Sequence, residues 1–277
     1  MKKIIILGLF ILLGSVGSSI AQSGELHGTA GVEWSSLYVW RGFEVYGNKS
    51  AVHPFVDLDL FGTGFGFNIT GHRANSSGYE MFERWDYTLY YHGMMFTDKS
   101  YMTSYVLGYR YYNFPDLSCN DTTPPPNGVD LQEIHGVFSF PQLLGIEGLV
   151  PTYVLVKLWP SNSGSFVGAR SPSGGTASGY AHIFMLDYGW KFTCPMTEKE
   201  QMLNLHSEIV WNDGVGPGGQ NVDHDWTNAV FGVSTDYDLG NNLVLTPGLY
   251  HQVAFDKSLG NENKSDTWAS LILKYKF

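Results

Sequence analysis

The chain has 277 residues, of which 15% are charged and 15% aromatic, with 33 glycines and a formal net charge of −10. That composition excludes a helical membrane bundle, which would show runs of about 20 apolar residues, a disordered chain, which would carry fewer aromatics and more charge, and a coiled coil rich in Ala, Glu, Lys and Leu. An acidic chain without a Lys/Arg run also lacks the basic face that phosphate contacts need, so no nucleic-acid partner is expected.

The N-terminus reads as an export signal. Met1-Lys2-Lys3 is a short basic start, Ile4 to Leu13 is apolar apart from Gly8, and Ser19-Ile20-Ala21 places small side chains where a signal peptidase cuts. A signal peptide over 1–21 and a single mature domain over 22–277 follow. No Cys stands directly after the cut, which argues against a lipoprotein.

From there to the end, apolar and polar residues alternate with period two, the pattern of strands with unlike faces. It predicts twelve strands, at 25–40, 50–60, 64–74, 81–94, 100–113, 129–140, 149–158, 179–192, 201–212, 226–237, 242–254 and 267–277. In the fifth, Tyr105, Leu107, Tyr109 and Tyr111 share a face opposite Ser104 and Arg110. In the eighth, Tyr180, His182, Phe184, Leu186, Tyr188 and Trp190 lie opposite Asp187 and Lys191. In the last, Ala269, Leu271, Leu273, Tyr275 and Phe277 lie opposite Lys274 and Lys276.

The gaps between strands alternate in length. Those after odd-numbered strands (41–49, 75–80, 114–128, 159–178, 213–225, 255–266) are mostly long and rich in Gly, Pro, Ser and Asn. Those after even-numbered strands (61–63, 95–99, 141–148, 193–200, 238–241) are short turns. This asymmetry is the one expected of an outer-membrane barrel with long external loops and short periplasmic turns. A soluble β-sandwich also alternates faces, but its outward face would be rich in Lys and Glu, and here the polar face is sparse. The expected fold is therefore all-β: a transmembrane antiparallel up-and-down barrel of about twelve strands, in the outer membrane of a Gram-negative-type bacterium.

Two stretches carry family resemblance. The ending on Tyr275 and Phe277 resembles the terminal strand of outer-membrane barrels and implies a signal for the barrel-insertion machinery. Residues 36–60 read Ser-Leu-Tyr-Val-Trp-Arg-Gly-Phe, a short polar loop, then Ser-Ala-Val-His-Pro-Phe-Val-Asp-Leu-Asp-Leu, and Glu83-Arg84-Trp85-Asp86-Tyr87 follows. This resembles the TorF-type porin family, with a Tyr-x-x-Arg-Gly strand end and an acidic strand that pairs back. The resemblance covers about the first 70 mature residues, with Leu37 where the family carries Asp, and it implies a small exported channel.

If the less apolar face of each strand points inward, the lumen is lined by Glu33, Arg41, Asp57, Arg84, Asp86, Arg110, Glu133, Lys157, Asp187, Lys191, Glu208 and Lys274, with His53, Asp59, His135, His206 and Lys276 beside them. Both signs occur in similar number. Such groups either brace the wall as cross-strand pairs or form a constriction that orients a polar solute. Twelve strands lie between the filled eight-stranded barrel and the open channels of sixteen or more, so a narrow lumen is expected. Trp40, Tyr101, Trp190, Trp211, Tyr237 and Tyr275 are assigned to interfacial girdles.

Enzymatic readings are weak. His206 and Ser207 are strand neighbours and face opposite sides, and His135 and Ser139 are about 13 Å apart along one face. Asp213, Asp223 and Asp225 form at best a loose calcium loop, so no metal or cofactor is expected. Cys119 and Cys194 fall at opposite rims of a band about 25 Å tall, which rules against a bridge that needs Cα atoms within about 7 Å. Pro124-Pro125-Pro126 stiffens the third long loop. The expected function is passive diffusion of small polar solutes or ions. The alternative is a non-conducting barrel serving as receptor, adhesin or structural protein, and a barrel hydrolase comes third. Expected partners are outer-membrane lipid, the insertion machinery and small solutes. The oligomeric state and the solute are left open.

Overall fold

The period-two pattern becomes a ring of strands in which every neighbour pair is antiparallel. The computed structural model describes residues 24–116, 130–161, 179–193, 200–213, 224–255 and 264–277. Its strands are β1 (His27–Ser35), β2 (Val39–Trp40), β3 (Phe43–Glu44), β4 (Ala51–Asp59), β5 (Phe65–Ala74), β6 (Arg84–Met95), β7 (Thr103–Asn113), β8 (Leu131–Ser139), β9 (Leu149–Pro160), β10 (Gly179–Thr193), β11 (Glu200–Asp213), β12 (His224–Thr235), β13 (Tyr237–Gly240), β14 (Leu243–Ala254) and β15 (Thr267–Lys276). The order runs from β4 to β12 as a meander, and β14, β15 and β1 complete the circuit. β1 pairs with β15 through Val32↔Leu273 and with β4 through Val32↔Pro54, so the first and last long strands seal the wall. β13 continues β12 past Asp236 and pairs with β14, while β2 and β3 pair only with each other. The barrel is closed by twelve long strands among the described residues, matching the twelve expected.

The two faces of the wall differ as the alternation requires. On the outer face Val32, Leu89, Phe231, Leu249 and Leu271 are 41%, 51%, 53%, 52% and 42% exposed. Apolar side chains exposed all the way round a closed sheet have no place in water, whereas lipid accepts them once every backbone group is paired in the ring.

Turn chemistry fixes the short end. β13 and β14 are joined by Asn241 and Asn242 at φ 52° and 65°, a two-residue loop with both centres left-handed, which matches the twist of the strands it joins. At the turn after β4, the Gly62 amide donates to Asp59 Oδ1 at 3.0 Å. The start of β1 and the end of β15 meet at this same end, where Gly28 and Phe277 exchange backbone hydrogen bonds of 2.8 and 2.9 Å.

One expectation about the strands is corrected. The first was read to residue 40, but β1 stops at Ser35 and residues 36–50 leave the wall. Trp40 therefore sits in no girdle. It is 9% exposed and packs with Tyr112, Phe114, Leu131 and Leu158. Residues 1–23, both cysteines, Pro124–Pro126, Asp223 and most of 159–178 lie outside the described residues.

Candidate functional site

The departure at Ser36 builds the most elaborate part of the molecule. The Ser36 amide donates to Ala269 O and its Oγ accepts from the Ala269 amide, both at 2.9 Å, so this side chain ends the ladder with β15. The chain then folds back as the β2–β3 hairpin, with Arg41 and Gly42 at φ 49° and 92° as its two central residues. The Gly is required there on two counts. Its φ is left-handed, and a Cβ would stand 2.4 Å from Asn228 Oδ1.

The contacts of this hairpin define the inside of the barrel. Arg41 pairs with Glu133 on β8 at 2.6 Å. Gly42 O accepts from Gln252 Nε2 on β14 at 2.9 Å, and Gln252 Oε1 in turn accepts from Asn228 Nδ2 on β12 at 3.3 Å. Tyr46 Oη donates to the backbone oxygens of His72 and Phe82 at 2.9 and 3.2 Å. Glu44 pairs with Lys264 at 2.8 Å. One short segment reaches β5, β8, β12 and β14 together only from within a closed ring, at the end that carries the long loops.

Charges gather where the hairpin meets the wall. Arg84 grips Asp86 through Nε at 2.7 Å and through its terminal nitrogen at 3.1 Å, and it also donates to Tyr38 Oη at 2.8 Å. Its guanidinium lies 4.7 Å from the Tyr112 ring centre, and that of Arg41 lies 4.6 Å from Trp40. Glu133 also accepts from Tyr112 Oη. Arg110, opposite Glu133 in the β7–β8 register, donates to Thr88 Oγ1 at 2.9 Å. In this low-dielectric setting isolated charges would be costly, and each acid here is matched by a guanidinium.

Beside this cluster runs a directional chain of hydrogen bonds. Ser35 Oγ lies 3.0 Å from His53 Nε2, His53 Nδ1 lies 2.9 Å from His72 Nδ1, and His72 Nε2 lies 3.2 Å from Asp86 Oδ2. Asp86, an anion gripped by Arg84, only accepts, so His72 holds its proton on Nε2. Its Nδ1 then accepts from His53 Nδ1–H, which leaves His53 Nε2 to accept from the Ser35 hydroxyl. A cavity of about 300 Å³ opens against this chain, bounded by β1, β4, β5, Trp268 of β15 and the hairpin.

The other expected lumen residues are placed as follows. Glu33 borders the cavity. Asp57 accepts from Asn68 Nδ2 at 3.0 Å and Tyr90 Oη at 2.7 Å. Asp187 accepts from His206 Nδ1 at 2.6 Å, with Glu208 3.6 Å from the other ring nitrogen. Lys274 lies 3.2 Å from Asp236, and Lys191 lies 3.5 Å from Glu147 in the β8–β9 turn, at the rim. Lys157 is a correction. It pairs with Tyr180 and Ile134, on the face opposite Glu133, and its Nζ lies 4.3 Å above the Tyr180 ring. The inward face of β9 is instead Val154, Val156 and Leu158, all buried.

The serine and histidine pairs weighed from sequence do not meet. Ser207 donates to Leu186 O while His206 bonds Asp187, and Ser139 bonds Thr152. The Ser–His contact that does form, Ser35 to His53, joins two strands and was not read from sequence.

No protein-family model matches the sequence, and no curated protein matches it. Among solved structures the chain is similar to the KdgM porin, at TM-score 0.52 and 9% identity over 90% of this chain and 99% of that one. It is similar to the COG4313 outer membrane channel from Pseudomonas putida F1, at 0.52 and 13% over 95% and 100%. It is also similar to the NanC porin, at 0.50 and 9% over 91% and 100%. At such identities the likeness is one of fold, and the fold shared is the outer-membrane β-barrel.

Proposed function

We propose that the chain is an outer-membrane channel for passive diffusion of small polar solutes or ions, a transporter with no enzymatic role. The observation that carries this is the inward hairpin. A closed twelve-stranded barrel is wider than its own side chains fill, and the β2–β3 hairpin narrows it, bringing paired charges into the barrel beside the buried rings of Trp40, Phe43 and Tyr46. On this reading Glu33, Arg41, Asp57, Arg84, Asp86, Arg110, Glu133, Asp187, Glu208 and Lys274 line the route. Signal peptide 1–21 directs export, and Tyr275 and Phe277 present the last strand to the insertion machinery. The TorF-type resemblance supports the same reading, since its Tyr38–Gly42 motif forms the hairpin turn. Of the solved barrels of similar fold, two are called porins and one an outer membrane channel.

The Ser35 relay does not argue for hydrolysis. The amide following a nucleophilic Ser is a natural oxyanion donor, and the Ser36 amide is committed to Ala269 O. Planar-bilayer recording of the folded mature chain tests the proposal. Steady current steps support it, and a silent barrel would favour a receptor, adhesin or structural role.

A further inference from the structure

We propose that the cavity beneath the hairpin is a binding site for a small primary amine in its ammonium form, with Glu33 as the countercharge. The proposal deepens the channel reading, whose lumen is the route in. Glu33 is the one acidic residue among those bordering the cavity, and the relay holds His53 and His72 as neutral donor–acceptor links. Its carboxylate has no hydrogen-bond or ion-pair partner among the described residues. A half-buried anion left open to a cavity calls for a cation.

The rest of the wall narrows the choice of cation. The Ser35 hydroxyl spends its proton on His53, and the Thr70 hydroxyl spends its own on Asn68 Oδ1 at 3.0 Å. Both therefore turn lone pairs to the cavity. Such a wall suits a ligand that brings several N–H donors, and an ammonium brings three. The rings of Tyr38, Phe55 and Trp268 border the cavity on its other sides, and aromatic rings attract an organic cation and shelter its hydrocarbon part. A carboxylate or phosphate solute would meet Glu33 with like charge. A divalent metal ion would look for several oxygen ligands and use none of the rings.

Isothermal titration of the full mature chain, folded in detergent micelles, with n-butylammonium chloride and separately with 1-butanol tests this. Folding of each variant is checked by its heat-modifiable gel mobility. Saturable binding of n-butylammonium and none of 1-butanol is expected. Glu33→Gln should weaken binding about tenfold or more, and Thr70→Val about threefold. Asp98→Asn, an exposed charge in the far turn, should leave it unchanged. If Glu33→Gln does not fold, Thr70→Val carries the test alone. Absence of saturable binding, equal binding of the alcohol, or full affinity in folded Glu33→Gln or Thr70→Val would overturn the site. Bilayer current is read separately. A barrel that conducts but binds no amine loses only the site, and one that binds without conducting loses only the channel.

Discussion

Glu133→Gln should loosen the hairpin while leaving the barrel wall intact. The Glu133 side chain is 1% exposed and that of its partner Arg41 12%, so water compensates neither charge when the other is removed. Breaking a buried ion pair from one side costs about 3–5 kcal/mol, because the remaining charge stays behind. Gln still accepts one bond from Arg41, worth about 1 kcal/mol, which leaves a net loss of about 2–4 kcal/mol. The other pins are weaker. The bonds from Gln252 to Gly42 O and from Tyr46 to His72 O are each 2.9 Å and contribute about 1 kcal/mol apiece. The Lys264–Glu44 pair is partly exposed on its Lys side and contributes about 1 kcal/mol or less. With about 1.4 kcal/mol per tenfold, the docked-to-undocked ratio should fall between about 30-fold and several hundredfold. Single-channel recording should show a higher mean conductance and new fluctuation between levels. The double variant Arg41→Met/Glu133→Met removes both charges and fills their volume, so most of the quiet trace should return. A Glu133→Gln trace identical to the wild type, or a double variant as noisy as the single, would refute the idea that this pair positions the hairpin.

Other substitutions separate hairpin, wall and ending. Gly42→Ala forces a methyl to within 2.4 Å of Asn228 Oδ1 at a left-handed φ and should cost about 1–3 kcal/mol, read as the same noisy conductance. Lys157→Met, on the outer face over Tyr180, should leave conductance and ion preference unchanged, whereas Lys274→Met, beside Asp236 within the wall, should shift reversal potential toward cations. Phe277→Ala removes the aromatic end of β15 and should lower the yield of assembled barrel in cells, measured by heat-modifiable mobility of outer-membrane fractions, while the purified chain still folds in detergent.

Strands were legible because period-two alternation is local. Leu89, Leu107 and Leu271 announce a lipid face whatever lies across the barrel. The hairpin was not, because Tyr38-Val39-Trp40 continues the alternation of β1 and nothing nearby marks Ser35 as the last wall residue. What draws the chain inward is Glu133, 92 residues away from Arg41, and Gln252, 210 residues away from Gly42. Arg41-Gly42 was visible as a break, and both a loop after a strand and the tip of an inner turn fit that dipeptide. Lys157 misled for a related reason. A rule that sends the charged face inward fails where a strand carries one Lys near the rim, and the apolar cluster of Val154, Val156, Ala181, Ile183 and Val210 takes the inner face instead. The His53–His72 contact was within reach. The β4–β5 register, with Val52↔Arg73 and Phe55↔Thr70, sets the two rings opposite each other, and it follows once the short turn between those strands is fixed.

The hairpin also shows why this barrel needs polar contacts at its mouth. A twelve-stranded ring leaves more space than inward side chains fill, and an apolar plug docked there would be driven by burial alone, without a preferred orientation. Here each direction is set by a different bond: Arg41 toward β8, the Gly42 carbonyl toward β14, Tyr46 toward β5, and Tyr38 through Arg84 toward β6. Hydrogen bonds and ion pairs decay steeply with misalignment, so four of them at different bearings fix a position that packing would leave loose. The same contacts consume the donors along the β4–β6 side of the mouth. Among the described residues that leaves the Glu33 carboxylate without a partner on the cavity wall, so the way the hairpin is held and the kind of solute that fits beside it have one origin.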